Sequence, residues 1–476
     1  MILSALVALL PYAAALTPVK PDGPPATAPA AAAGAPAISV PYEQYTLPNG
    51  LHVILAEDHS VPFVWVNVWY WVGSRDEKPG RTGFAHLFEH LMFQGSEHAN
   101  DDFFAPLQKV GAQVNGTTNL DRTNYFEGVP SAELPRALFL ESDRMGWLLP
   151  ALTDEKLKNQ KDVVRNERRQ RYDNVPYGHA WLHLYENLFP EGHPYHVPTI
   201  GKHEDIEAAS LTDVKEFFAT WYVPNNASLV VSGDFDPKVA KELIAGWFGD
   251  VPAGPEPTPR VVTPVALDAP KVVRATDSKA PFEKVWLAWL SPAVYAPGDA
   301  ELDLVSSALA DGKDSPLYRV LVREKQIAQD VSVAQVSNDL QSIFMINATV
   351  APGHTGDEVV AAIDAVLADV KAKGVTEEEL ATARTQYEVA FYGSISSIQA
   401  KADRLNAYFR KTGEPNGFGA DLARYYAATP ERVNATLRDV LGPNRLQLHI
   451  APEAPPPPPP APPPAPAPTK KSGGKK

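Results

Sequence analysis

The chain has 476 residues, 44% hydrophobic and 21% charged, the composition of a globular protein too long for one typical core. Its 43 Lys and Arg against 57 Asp and Glu leave a net charge of −14, which argues against general nucleic-acid affinity. No cysteine is present, so disulfides and thiolate metal ligands are excluded.

The run from Ile2 to Leu16 is apolar and carries the small residues Ala13, Ala14 and Ala15. It reads as a signal-peptide core over residues 1–16, although no Lys or Arg precedes it. A membrane span needs about 20 such residues, so the expectation is export, to a bacterial periplasm, with no integral span in the mature chain. Residues 17–39 are a Pro- and Ala-rich linker, and a first domain is expected over 40–250.

Within that domain, Val64 to Trp71 alternates as a strand. Next comes His86-Leu87-Phe88-Glu89-His90 on an apolar helix that includes Phe84, Leu87 and Leu91. Thr82-Gly83 is its start signal and Gly95 its stop. Residues four apart share a helix face, so His86 and His90 can hold one ion with Glu89 beside it. Burying these groups bare is costly, so a metal is expected, in the inverted order of the usual zinc-hydrolase motif.

Gln113 to Asn119 reads as an exposed strand edge, the kind of surface to which a peptide adds as a further strand. Thr153 to Arg171 reads as one long polar helix ending near Asp173-Asn174-Val175-Pro176. A catalytic zinc takes three protein ligands and keeps the fourth position open, so one ligand is still needed. Glu167 is the best candidate, although its flanking arginines by themselves favour a surface ion pair.

A Pro-rich stretch marks an interdomain linker over 251–266, and a second domain follows over 267–451. The halves read as diverged copies offset by about 220 residues. Val214, Pro224 and Asn225 recur as Val433, Pro443 and Asn444, and Thr153 is echoed by Thr376. The same shift carries the histidine motif to Leu304–Ala310 and Glu167 to Ala390, so the second copy has lost its ligands. The expected fold is α+β: two homologous domains of a sheet plus helices, only the first with a metal site. Residues 452–476 form a Pro- and Ala-rich tail expected to be extended and disordered.

The motif and its surroundings resemble the pitrilysin-type (inverzincin) zinc peptidases, which include the mitochondrial processing peptidases and insulin-degrading enzymes. The resemblance rests on His86-x-x-Glu89-His90 with Glu167, on Gly73–Glu77, on Gly111–Thr118, on Thr123-Asn124-Tyr125 and on Leu140–Met145. It implies a sheet packed on helices in each half. It implies one Zn2+ per chain on His86, His90 and Glu167, with Glu89 as general base. Asn115, Gly116 and Thr117 would flank the scissile bond of a peptide substrate. Phe88 either lines a pocket for a hydrophobic side chain or is plain core.

Two positions depart from the family pattern. Gln160 stands where many relatives have a second glutamate, leaving it an orienting role beyond the ligands. The second-half arginine falls on Arg323, but the tyrosine seven residues later is Asp330. A homologous partner subunit supplying the arginine–tyrosine pair, in a heterodimer or a homodimer, is therefore expected. The alternative is a weak or inactive scaffold subunit of the same fold. A hydrolase for non-peptide esters or amides could use the same zinc site, but no residue points to it.

Overall fold

The computed structural model describes residues 38–453, except 101, 257 and 259–261. The segment 1–16 expected to be a signal peptide, nearly all of the stretch 17–39 expected to be a linker, and the residues beyond 453 lie outside the described residues. So does part of the 251–266 linker. Its start is fastened to the first half, where Asn49 Nδ2 donates to the Val251 carbonyl at 2.9 Å and Asn225 Oδ1 accepts from Gly254 N at 2.8 Å.

Two sheets organise the molecule. The first has six strands: β1 (Glu43–Thr46), β2 (His52–Glu57), β3 (Phe63–Tyr70), β4 (Gln113–Thr118), β5 (Thr123–Pro130) and β6 (Ala227–Gly233), in the spatial order β1-β2-β6-β3-β5-β4. The second comprises β7 (Lys271–Asp277), β8 (Lys284–Ser291), β9 (Ala328–Val336), β10 (Ser342–Val350) and β11 (Leu446–Pro452), in the order β7-β11-β8-β10-β9. Strand for strand, the orders and directions agree. The pairs β2–β6 and β7–β11 are parallel, and every other pair is antiparallel. Only β1 has no counterpart among the described residues.

The duplication extends to the helices. The histidine helix (Phe84–Leu91) corresponds to Asp299–Ala310, and the glutamate helix (Asp154–Arg168) to Glu377–Ser394. In the second copy these helices meet through a neutral contact, Ser307 Oγ donating to Gln386 Oε1 at 2.6 Å. The expected fold class holds, and among the described residues the one metal-ligand cluster lies in the first copy.

Alternation in β3 suggests one covered face, yet seven of its eight residues are buried. Val64, Val66 and Val68 join a core with the first half's own helices. The opposite face is covered by the second half: helix Ile398–Thr412 sets Ala402, Leu405 and Tyr408 against Ile54, Ala56 and Val230. The exchange is reciprocal. Helix Ala180–Leu188 of the first half places Ala180, Leu184 and Leu188 on Trp286, Ala288, Met345 and Leu448 of the second sheet. Each half thus completes the other's sandwich, and burying both faces of two sheets ties them into one body.

Polar contacts lock the exchange. Asp403 Oδ1 accepts from Asn67 Nδ2 at 3.3 Å, Trp69 Nε1 at 3.0 Å and Asn124 Nδ2 at 3.2 Å. The rings of His52 and Phe409 stack at 3.6 Å. Arg75 bridges Asp121 and Asp339, and Asp339 also takes Arg410 at 2.8 Å.

Candidate metal centre

The histidine helix begins where the sequence signals place it. Gly83 has φ +85°, which a residue with a side chain rarely adopts, and a Cβ there would meet Ile206 Cδ1 at 2.9 Å and the Ile200 carbonyl at 3.0 Å. The first free backbone donors of a helix need partners. Here Glu77 supplies both oxygens, accepting from Gly83 N at 2.9 Å and Ala85 N at 2.8 Å. The helix packs against the glutamate helix on one side and against β4 and β5 on the other.

The glutamate helix opens at Thr153, whose hydroxyl accepts from Lys156 N at 3.2 Å. Its regular part ends at Arg168, and a single wide turn with i→i+5 bonding, Arg169–Asp173, replaces the straight continuation to Arg171. Such turns are rare and frequent at functional sites. Glu167 sits just before this turn. Its Oε2 lies 3.0 Å from His90 Nε2 and 3.6 Å from His86 Nε2, while Oε1 pairs with Arg171 Nη1 at 2.8 Å. The two sequence readings of Glu167, ligand or ion pair, therefore coexist, one on each oxygen.

The three ligand atoms lie within 4.8 Å of one another. A tetrahedral zinc with bonds of 2.0–2.1 Å separates its ligand atoms by about 3.3 Å. The observed contacts of 3.0 and 3.6 Å straddle that distance, so the residues fit the ion. Burial holds the His86 imidazole at about 4, below its ordinary 6.5, with the neighbouring His90 charge adding to the effect. It is thus neutral and able to donate a lone pair. Burial pushes Glu167 up, but contacts with His90, His86 and Arg171 outweigh it and hold the carboxyl below its ordinary value. His86 Nδ1 is buried with no hydrogen-bond partner among the described residues, so no hydrogen bond on that side orients the ring.

Glu89 lies on the same helix, next to Thr118. Burial raises its carboxyl above the usual range, against the opposing pull of the Thr118 hydroxyl and the charges of His90 and Arg122. The strand it faces, β4, is bonded to β5 alone and leaves its other side open. Asn119 N donates to the Arg122 carbonyl at 3.0 Å, closing the hairpin. Alternation from that pair points the backbone groups of Thr117 at Asn124 and those of Gly116 and Thr118 outward. Of the expected Asn115, Gly116 and Thr117, Gly116 therefore offers its carbonyl to a ligand, its N–H being donated to Asn115 Oδ1 at 2.9 Å, and Thr118, which sequence reasoning passed over, also turns its backbone outward. Gly116 is buried, and a Cβ there would come within 3.2 Å of Phe93 and Tyr125.

Three expected residues are not in the site. Phe88 is fully buried between Phe217, Phe218 and Tyr222, so it is core and lines no pocket. Gln160 is buried, but its amide donates to Asn159 at 2.8 Å and makes no hydrogen bond to the triad. Seven helical residues set it about 10 Å along the axis from Glu167. Arg323, in the second half, bonds the Lys313 carbonyl at 3.2 Å and Asp314 at 2.6 Å, and among the described residues contacts none of the triad. Asp330 is exposed on β9, the second sheet's edge. Sequence reading also missed Arg171, although its i+4 spacing from Glu167 was a visible signal.

Comparison with known proteins agrees with this geometry. Residues 52–194 match Insulinase (Peptidase family M16), and residues 208–387 match the Peptidase M16 inactive domain. The zinc protease PqqE of Helicobacter pylori is 30% identical over 367 residues, 76% of this chain and 81% of the relative. Human cytochrome b-c1 complex subunit 1 is 26% identical over 273 residues, 57% of this chain and 56% of the relative. Among solved structures, a protease from Helicobacter pylori superposes with TM-score 0.79 at 27% identity, covering 87% of this chain and all of that one. The periplasmic protease PqqL from Escherichia coli shares the fold at TM-score 0.73 and 17% identity; the match covers 87% of this chain and 48% of PqqL.

Proposed function

Because the chain belongs to peptidase family M16, we propose that it is a zinc-dependent endopeptidase that hydrolyses peptide bonds in peptides or unfolded protein segments. The observation that carries this reading is the convergence of His86, His90 and Glu167, drawn from two separate helices, beside the unpaired edge of β4. Zinc bound there supplies Lewis acidity to the scissile carbonyl and to water, whose pKa such sites lower from about 15.7 to about 7. His86, His90 and Glu167 would hold one ion per chain, and Arg171 keeps the second Glu167 oxygen turned away. Glu89 takes a proton from the attacking water and passes it to the leaving amine. The outward backbone groups of Gly116 and Thr118 align the peptide as an added strand, which selects extended chains over folded ones.

The broken pair at Arg323 and Asp330 supports a homologous partner subunit that supplies the missing arginine and tyrosine. That PqqL is about twice as long as this chain supports two such units working together. The apolar run at Ile2–Leu16 supports export to the periplasm, and mass spectrometry of the native N-terminus tests that placement. Among the described residues no helix is long and apolar enough to cross a membrane. The second reading, a scaffold subunit of low activity, is favoured by Gln160 and Asp330 and by the likeness to a cytochrome b-c1 subunit.

Zinc quantification with fluorogenic peptide turnover separates the two readings. The parent is expected to bind one zinc and cleave, and Glu89→Gln to keep the zinc and lose turnover by at least about a hundredfold. Parental turnover in Glu89→Gln removes Glu89 from its role. Zinc without turnover, alone and with a homologous partner, leaves the scaffold.

A further inference from the structure

Arg122 lies in the hairpin between β4 and β5, with its guanidinium over the Trp69 ring, 5.0 Å from the centroid. All its side-chain hydrogen bonds run through Nη1, which donates to the Thr117 carbonyl at 2.9 Å, to the Thr117 hydroxyl and to Asn124 Oδ1 at 3.1 Å. Among the described residues Nε and Nη2 have no partner. Two other arginines show the fork engaged by a carboxylate. Arg144 grips Glu141 through two nitrogens, and Arg445 grips Asp364 likewise. The charge of Arg122 reaches Asp403 on one side and Glu89 on the other. Neither forms an ion pair with it, and Asp403 Oδ1 is already taken by three neutral donors.

Register places this fork against the open strand edge. Thr117 and Asn124 oppose each other across the hairpin, and Asn124 opposes Trp69 on β3, so the three side chains share the face on which Arg122 lies. Thr118, beside Glu89, points to the other face. A peptide added to the edge of β4 turns alternate side chains toward each face, about 5 Å Cβ to Cβ from its neighbours. One of the two residues flanking the bond cut at Glu89 therefore turns its side chain to the face of Arg122. A planar guanidinium with two free donors in a partly desolvated setting matches a carboxylate in geometry and charge.

We propose that Arg122 forms a carboxylate subsite, which takes an acidic side chain or the free C-terminal carboxylate of the peptide within about two residues of the cleaved bond. This rests on the peptidase reading and adds its substrate class. The test uses paired peptides, Glu against Gln at each position near the cut and C-terminal acid against C-terminal amide. They are compared by kcat/KM in the zinc-loaded parent and by fluorescence-anisotropy affinity in zinc-loaded Glu89→Gln, where binding needs no turnover. The expected result is an acid preference of about tenfold or more at one position, the scale of one charged hydrogen-bonded contact. The Glu/Gln arm and the acid/amide arm tell the two carboxylate sources apart.

That ratio is expected to collapse toward one in Arg122→Gln and to recover in part in Arg122→Lys, which keeps charge without the fork. Because Nη1 also secures the hairpin, the readout is the acid-to-neutral ratio and not the absolute rate. Arg122→Lys keeps the test open if the Gln variant fails to fold. Cleavage with no acid preference, or a preference that survives loss of the guanidinium, overturns the subsite and leaves the peptidase reading intact. Absence of cleavage by the zinc-loaded parent, both alone and with a homologous partner, defeats the peptidase reading itself.

Discussion

Replacing Asp403 tests how the two halves are joined, because one carboxylate oxygen gathers three donors from the other half. Asn67 and Asn124 are 1% and 2% exposed, and the Trp69 ring is 7% exposed, so water cannot replace the lost acceptor freely. A buried donor left unpaired costs about 1–3 kcal/mol. The three share one oxygen, and Asn124 retains a long contact to Asn67 Oδ1 at 3.4 Å, so their costs do not simply add. Asp403→Ala is expected to destabilise by about 3 kcal/mol. Asp403→Asn keeps an oxygen in place and loses only the charge, for about 1 kcal/mol. Urea unfolding followed by tryptophan fluorescence measures both, with Trp69 itself reporting on the joint. If Asp403→Ala unfolds within about 0.5 kcal/mol of the parent, the helix Ile398–Thr412 does not hold the first sheet as described.

Two further expectations follow from the same contacts. Arg171→Ala should weaken zinc binding about tenfold, as loss of a group that orients a ligand does, measured by chelator competition. Because the Arg171 side chain is 72% exposed, added salt should narrow the gap between parent and variant. An unchanged zinc affinity would mean that packing alone sets the Glu167 carboxylate. Burial holds His52 at about 4, so the folded state prefers the neutral ring. Its stabilising contribution is complete above about pH 6.5 and is lost as pH falls toward 4, amounting to about 3 kcal/mol. Relative to His52→Gln, the parent should lose that much between pH 7 and 4 in thermal or urea melts, and parallel pH profiles would refute the assignment.

The sequence by itself determined whatever depends on neighbours along the chain. Helical periodicity puts His86, Glu89 and His90 on one turn, Gly83 admits the left-handed entry to it, and the repeat of Val214, Pro224 and Asn225 announces a duplication. Tertiary structure alone decided the rest, because those contacts join residues distant in the chain. Sequence named Glu167 as a candidate, but only the packing of two helices brings its carboxylate to the imidazoles. Phe88 sits one residue from the base, yet a helix turns about 100° per residue, so its ring points into the core. Gln160 shares a face with Glu167 but stands two turns away. The burial of both faces of β3 could not be read locally either, since the residues that cover its second face come from a helix more than 300 positions later, Asp403 and Asn406 among them. Local pattern thus states which chemistry the chain can carry, and long-range burial selects the groups that meet.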